Sequence, residues 1–229
     1  MHLSIVIPLF NEEKSLDELY SSINKTISTI NVKYEVIFID DGSTDSSWNT
    51  IKKIVNNYPN VKGIKFLRNF GKSQALSAGF KDAKGDVIIT LDADLQDDPN
   101  EILSLYELMK NENFDLVSGW KKKRYDSLIF KNFPSKIFNW VARKTSGIQL
   151  NDFNCGIKAY KKSVVKKIKL TGGMHRYSPV LAKNAGFEKI SQKIVIHRPR
   201  KHGKTKYGAD RFIKGFLDLT TLWFTHKFG

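Results

Sequence analysis

The residues of this 229-residue chain best suited to chemistry stand where an apolar run ends. Val87-Ile-Ile-Thr-Leu91 leads directly into Asp92-Ala93-Asp94-Leu95-Gln96. The run is short and rich in β-branched residues, which predicts a buried strand. Carboxylates at the carboxyl end of a parallel strand sit where open α/β sheets bind ligands. Asp92, Asp94 and the amide of Gln96 are hard oxygen donors, suited to Mg2+ or Mn2+ held against phosphates. The same residues also read as an acidic strand-to-helix turn, with Asp97 or Asp98 capping a helix after Pro99.

A second group lies late in the chain, His197-Arg-Pro-Arg200-Lys-His-Gly203-Lys-Thr-Lys206-Tyr-Gly208. Between Arg198 and Lys206 it carries five Lys and Arg and no acid. Its glycines let a loop fold over a ligand. It reads as an exposed basic loop or as a clamp for a diphosphate. The run Lys121-Lys-Lys-Arg124 is also basic, although most such runs are simply solvated.

The elements that would position these groups alternate in the first half. Leu3–Pro8 reads as a buried strand, followed by a loop with Asn11, Glu12 and Glu13. An amphipathic helix then runs to about Ile30. Tyr34–Ile39 is a second strand ending in the turn Asp40-Asp-Gly-Ser-Thr-Asp45, and a helix carrying Trp48, Ile51 and Ile54 follows. Val61–Leu67 is a third strand, Arg68–Lys72 opens a helix ending near Gly85, and the Val87 run is the fourth strand. A helix from Pro99 to about Lys110 and a strand at Phe114–Ser118 complete this half. Such alternation predicts a parallel sheet covered on both faces, with right-handed crossovers and the carboxyl ends of all strands on one edge. Asn11-Glu12, Asp40-Asp41, Arg68-Asn69 and Asp92-Asp94 would converge there. No Gly-x-Gly-x-x-Gly follows the first strand and no P-loop pattern occurs, which argues against those nucleotide sites.

The second half is less regular. Leu128 to about Thr145 reads as a basic amphipathic helix despite Pro134, a pattern that fits core packing or a membrane interface. Asn151–Tyr160 reads as a polar loop entering a strand, and Glu188–His197 as a late strand. At the end, Phe212, Phe216, Leu219 and Trp223 form one apolar stripe.

Composition is that of a globular chain, 41% hydrophobic and 27% charged. The single cysteine, Cys155, excludes an internal disulfide framework and fits a reducing compartment. The amino terminus goes straight into a strand, and no run of 18 apolar residues predicts a membrane span. The net charge of +15 is unevenly placed. Residues 1–119 carry 12 Lys and Arg against 18 Asp and Glu, a net of −6, whereas residues 120–229 carry 26 against 5, a net of +21. The acidic half is suited to a metal and the basic half to anions, whether phosphates, nucleic acid or an anionic membrane.

Together, Val6-Ile-Pro8-Leu-Phe-Asn11-Glu12, Ile39-Asp40-Asp41-Gly-Ser43, Asp92-Ala-Asp94-Leu-Gln96, Asp152–Tyr160 and Arg200–Tyr207 resemble the family 2 glycosyltransferases of GT-A fold. Gln96 and the late basic loop are most similar to the polyprenyl-phosphate subgroup, which includes dolichyl-phosphate mannosyltransferases and bactoprenol glucosyltransferases. The resemblance implies an α/β fold, a Rossmann-like and mostly parallel sheet with helices on both faces, plus amphipathic interface helices at the carboxyl end. It implies one catalytic domain over residues 1–229: a nucleotide-sugar half at 1–119, an acceptor half at 120–208 and an amphipathic segment at 209–229. It assigns the nucleotide to Pro8, Phe10, Asn11, Glu12, Phe38, Asp40, Asp41, Asp92, Ala93, Asp94, Lys121, Arg200 and Lys206. Asp92, Asp94 and Gln96 would hold Mg2+ or Mn2+. Asp94, Gln96 and Arg200 would carry catalysis, and Lys121, Lys131 and Ser135 would meet the acceptor phosphate. Many relatives continue into transmembrane helices beyond this point.

The implied reaction is inverting transfer of a hexosyl group from a nucleotide diphosphate sugar, of GDP-mannose or UDP-glucose type, to a polyprenyl phosphate. The implied partners are that donor, that acceptor and an anionic membrane surface, with no nucleic acid and with a homo-oligomer admitted. The implied location is cytoplasmic, peripheral at the cytoplasmic face of the membrane. Three other readings remain at this stage. One is a family 2 enzyme acting on a glycan hydroxyl with Asp152 as base. The others are a nucleic-acid binder, suggested by the basic half, and a nucleotide-binding scaffold without catalysis.

Overall fold

Leu3–Leu9 forms β1, the strand around which the others assemble, and all seven of its residues are buried. A strand covered on both faces needs a continuous apolar run rather than an alternating one, and Leu3-Ser-Ile-Val-Ile-Pro-Leu9 supplies it. A computed structural model describes residues 2–122 and 132–201, with residues 132–138 described by their backbone only.

The elements follow as α1 (Leu16–Ile27), β2 (Tyr34–Asp40), α2 (Ser47–Asn57), β3 (Val61–Lys65), α3 (Lys72–Asp82), β4 (Val87–Thr90), α4 (Glu101–Glu112) and β5 (Leu116–Trp120). Then come α5 (Asn132–Ser146), β6 (Lys158–Lys161), α6 (Lys162–Lys167), a 3-10 turn (Met174–Tyr177), α7 (Ser178–Asn184) and β7 (Ile190–Ile194). One sheet runs in the order β3-β2-β1-β4-β6-β5-β7. β1 pairs in parallel with β2, from Leu3↔Tyr34 to Leu9↔Asp40, and with β4, from Leu3↔Val87 to Val6↔Thr90. Strand order reverses between β1 and β4, and ligands of open α/β sheets bind in the crevice above such a switch point.

The expected α/β architecture with a mostly parallel sheet is present. The strands do not all run the same way: β6 is antiparallel to both β4 and β5. Its amino end, not its carboxyl end, therefore faces the edge where the other strands finish. β3 also ends at Lys65, two residues before the expected limit, and the chain then leaves the sheet as a loop.

Helices cover both faces. Side chains of α1, α2 and α4, among them Leu19, Ile23, Ile51, Ile54, Ile102 and Leu105, pack on one face against Ile5, Ile7 and Phe38. Leu76 and Phe80 of α3 and Val164 of α6 pack on the other against Val6, Ile37 and Ile88. α3 comes so near the sheet that a Cβ at Gly79 would stand 2.4 Å from Val6 Cγ1. A third cluster joins Ala142 of α5 to Leu150, Phe153, Tyr177 and Val180.

Away from the crevice, Glu35 is buried near the amino ends of the strands. It accepts from the Ser4 hydroxyl at 2.6 Å and from Lys84 N at 2.7 Å, and pairs with Lys62 at 3.0 Å. Burial alone would raise its carboxyl, but these donors and the Lys62 charge leave it below the usual value.

Among the described residues no helix is long and apolar enough to cross a membrane. The expected terminal stripe, Phe212 to Trp223, lies outside the described residues, as do Lys131 and Lys206; the Ser135 side chain is likewise not described.

Candidate active site

The first wall of the crevice is the loop after β1. Asn11 takes a left-handed backbone, φ 54, which Asn tolerates better than most residues. Its Oδ1 accepts from Thr44 N at 2.8 Å, and its own N donates to Ser43 Oγ at 2.8 Å. Glu12 N donates to Ser47 Oγ at 2.9 Å. The loops after β1 and β2 are thus stitched together, with Pro8 buried at the end of β1 and Phe10 partly exposed beside them.

The loop after β2 holds two buried carboxylates with different roles. Asp40 Oδ1 accepts from Ser43 N at 2.8 Å, while its Oδ2 is buried with no protein partner. Asp41 accepts from Phe70 N at 2.7 Å and Gly71 N at 2.9 Å, fixing the loop after β3. Burial and the Asp40 charge push its carboxyl up despite these two amides. Gly42, at φ 74, is required here, because a Cβ would fall 2.3 Å from the carbonyl carbon of Arg68. The Phe38 side chain lies wholly within the core on the α1/α2 face.

The third wall is the turn after β4. Asp92 pairs with Lys72 at the start of α3. Burial alone would raise the Asp92 carboxyl, but Lys72 and Lys121 outweigh it and hold the group at about 2. Ala93 is buried beneath the turn. Leu95 is left-handed at φ 61 and turns the chain so that Gln96 N meets Asp94 Oδ1 at 3.2 Å. The Gln96 carbonyl accepts from Arg198 N at 2.7 Å. Asp94 is pushed up to about 6, first by burial and then by the Asp92 charge, against the opposing pull of Arg200.

The late basic segment crosses this turn as a strap. Arg200 Nη2 lies 2.5 Å from Asp94 Oδ2, and its Nη1 lies 3.4 Å from Glu12 Oε1. Arg198 pairs with Asp98 at 2.5 Å, and Lys201 with Glu18 at 2.7 Å. Asp98 Oδ1 also accepts from Asn100 N at 3.0 Å, closing a turn ahead of α4, whereas the helix starts from Asn100 and takes no side-chain cap from Asp97 or Asp98. Asp97 instead lies 2.6 Å from Lys121 Nζ in a buried pair, which keeps Lys121 beneath the turn. Burial would lower the Lys121 ammonium, but the Asp97 carboxylate more than reverses this and raises it above the usual lysine value.

Four further residues complete the site without having been singled out from the sequence. Gly156 backs onto Asp92, and a Cβ there would stand 2.4 Å from Asp92 Oδ2. Lys158, 3% exposed, donates to the Cys155 carbonyl at 2.6 Å, and burial pulls its ammonium down to about 8. His175 Nδ1 lies 3.0 Å from Ser73 Oγ, and burial with the nearby Lys72, Arg176 and Lys158 charges keeps its imidazole neutral. Lys72 follows the Arg68-Asn69 pair and could have been found by extending that loop to the helix. His175 sits in a stretch with no motif. Asp152, the alternative base, is buried, and its Oδ1 accepts from Asn154 N at 3.1 Å.

Asp92 and Asp94 suit a divalent cation on the chemistry of their donors. They are hard oxygens one residue apart, they repel each other, and the Arg200 guanidinium stands on Asp94 as a positive charge. Among the described residues no three His, Cys, Asp or Glu side chains group to hold a metal by themselves. Further ligands would come from a bound diphosphate, from water or from Gln96.

Comparison with known proteins shows the family and the fold. The model of glycosyl transferase family 2 matches residues 4–169. The dodecaprenyl-phosphate galacturonate synthase of Rhizobium johnstonii is 35% identical, over 100% of this chain and 68% of that protein. The undecaprenyl-phosphate 4-deoxy-4-formamido-L-arabinose transferase of Shewanella sediminis is 38% identical, over 96% of this chain and 66% of that protein. The chain thus spans about two thirds of the length of these curated relatives. Glucosyl-3-phosphoglycerate synthase from Mycobacterium tuberculosis, solved with Mn2+, uridine diphosphate and phosphoglyceric acid, shares the fold at a TM-score of 0.71 and 18% identity. That match covers 98% of this chain and 78% of the other. With its motifs gathered on one crevice of a GT-A sheet and the family model matching most of its length, the chain belongs to glycosyltransferase family 2.

Proposed function

We propose that this chain transfers a glycosyl group from a nucleotide diphosphate sugar to a polyprenyl phosphate at a membrane surface. The observation that carries the donor half is the Arg200 bridge between Glu12 and Asp94, across the mouth of the β1/β4 crevice. A guanidinium already seated over two carboxylates is placed to move onto the oxygens of a leaving diphosphate. The acceptor is supported by the two relatives named above, both designated as acting on a polyprenyl phosphate.

In this reading Asp40 Oδ2, buried without a protein partner, accepts a hydrogen bond from the nucleoside. The Asn11 and Glu12 loop forms the wall against which the nucleoside sits. Mg2+ or Mn2+ on Asp92 and Asp94, with Gln96 within reach, would neutralise charge on the leaving diphosphate. Lys72 and Gly156 keep Asp92 in place. Arg200, with Lys206 beyond the described residues, closes over the diphosphate and excludes water. The attacking group is a phosphate oxygen, already anionic at pH 7, so no side chain needs to remove a proton from it. That fits a site whose histidine is neutral and bonded to Ser73. A single displacement at the anomeric carbon inverts its configuration. Residues 1–119 serve the donor, whereas Lys131 and Ser135 in the basic half serve the acceptor phosphate; Lys121, expected beside them, is engaged in its buried pair with Asp97.

The test supplies radiolabelled nucleotide sugars, Mn2+ or Mg2+ and a polyprenyl phosphate, and measures label extracted into organic solvent. Transfer with at least one donor is expected. Transfer to soluble saccharides and never to the lipid phosphate would overturn the acceptor assignment.

A further inference from the structure

We infer that the loop after β3 is a membrane-inserting tip, seated in an anionic bilayer beside the crevice. The inference rests on the lipid-acceptor reading and adds which part of the surface meets the lipid. Lys65-Phe-Leu-Arg-Asn-Phe70 holds three apolar side chains, two basic ones and no acid. Leu67 is 101% exposed and Phe70 51%, whereas among the described residues most other apolar side chains lie in the cores. Arg68 lies over the Phe70 ring at 4.8 Å, and Phe66 meets that ring edge-on at 5.7 Å. A basic group stacked on a half-exposed aromatic, next to a bare leucine, suits the headgroup boundary of a bilayer, where rings and aliphatic chains enter and cations stay with the phosphates.

The loop is built to keep that shape. Asp41 receives both Phe70 N and Gly71 N, and Gly42 closes against the backbone of Arg68. Its carboxylate restrains the tip while the apolar side chains remain outside, so exposure is not the result of a slack segment. The loop also lies on the catalytic edge and leads in six residues from the end of β3 to Lys72, the partner of Asp92. At the far end of the same edge, Ile194 and Ile196 are 53% and 59% exposed where β7 finishes. Six strand gaps separate β3 from β7, roughly 29 Å at the usual spacing. Apolar groups at both flanks of one edge would set the crevice mouth against the surface holding the acceptor phosphate. An aqueous acceptor would give no reason for them.

Cys155 is buried, so Leu67→Cys in the full chain offers one accessible thiol for an environment-sensitive fluorophore. Vesicles of phosphatidylcholine with phosphatidylglycerol should shift the emission to the blue, and phosphatidylcholine alone should do so far less. Leu67→Ser with Phe70→Ser should weaken vesicle partitioning by about tenfold or more. That variant should still transfer sugar to a water-soluble, short-chain polyprenyl phosphate without vesicles. If the protein sediments with the vesicles while the label at position 67 stays in water, the inference is overturned. The same follows if emission shifts with protein concentration alone, which would make the tip a contact between copies. If wild type transfers to no polyprenyl phosphate, soluble or in vesicles, the lipid-acceptor reading itself fails, whatever the label reports.

Discussion

Gly156 and Asp92 are so close that the missing side chain of one defines the position of the other: a Cβ on Gly156 would stand 2.4 Å from Asp92 Oδ2. Asp92 stands two residues beyond the end of β4, and Gly156 two residues before β6, its antiparallel neighbour. Gly156→Ala should therefore displace the Asp92 carboxylate while leaving the core unchanged. Displacing a catalytic group by about 1 Å lowers turnover on the order of a hundredfold. Turnover should fall on that scale with little change in thermal midpoint. Full activity in the alanine variant would show that Asp92 need not stay where it is.

Arg200 contacts Asp94 and Glu12 in the free protein and is assigned to the diphosphate when the donor binds. Arg200→Ala should cost about 2 kcal/mol of nucleotide diphosphate binding, roughly thirtyfold in Kd. Arg200→Lys should recover only part of this, because an ammonium lacks the planar fork that spans two oxygens. Calorimetric titration with the nucleotide and Mn2+ measures both, and an unchanged Kd in the alanine variant would remove the strap from donor binding.

The Asp94 carboxyl, pushed up to about 6, makes a prediction with a definite sign. Its folded value lies above the unfolded value, so the folded state binds more protons between about pH 4 and 6. Its contribution to stability is present below that window and is lost as pH rises through it. Asp94→Asn should therefore raise stability at pH 7.5 by about 1–2 kcal/mol, after the lost Arg200 pair is set against the relief. That gain should vanish near pH 4. The same variant should lose metal-dependent nucleotide binding, and chelation should abolish transfer by the wild type. Binding of nucleotide unchanged by either treatment would sink the metal assignment.

Ser4 donates to Glu35 and receives Gly85 N at 2.8 Å, far from the crevice. Ser4→Ala strands the buried Gly85 amide and removes one of the two donors on Glu35 Oε1, which keeps Lys84 N, costing about 1–3 kcal/mol. The Glu35 carboxyl lies below its ordinary value, so its contribution holds above the unfolded value and is lost as pH falls through the folded one. Urea unfolding of wild type and variant at pH 7 and at acid pH should show the difference shrinking in acid, with transfer activity preserved at pH 7. A neutral Ser4→Ala would mean that water replaces the hydroxyl.

The first half of the fold was legible because its strands are buried on both faces and its helices on one. Those two burial patterns write different periods into the sequence. β3 was read too long since Phe66 and Leu67 continue its apolar run. Nothing local reveals that Asp41, distant in sequence, holds the following loop out of the sheet. The direction of β6 was not legible either. Four residues beginning with a buried lysine carry no mark of which way they pair, and β4 and β5 settle it through tertiary contacts. The placement of Asp92, Asp94 and Arg200 on one crevice follows from strand ends and charge. Lys72 and His175 act through neighbours that only the folded chain supplies.

The ion pairs of the strap tie Glu12 to Arg200, 188 residues apart, and Glu18 to Lys201, 183 apart. Loops of that length close at the greatest cost in chain entropy and are expected to form late. The donor crevice would then be shaped first, open to solvent, and roofed last. A half-made chain could hold a correct nucleoside wall and still be unable to shield a diphosphate from water, so maturation of the roof would mark the moment at which this fold becomes an enzyme.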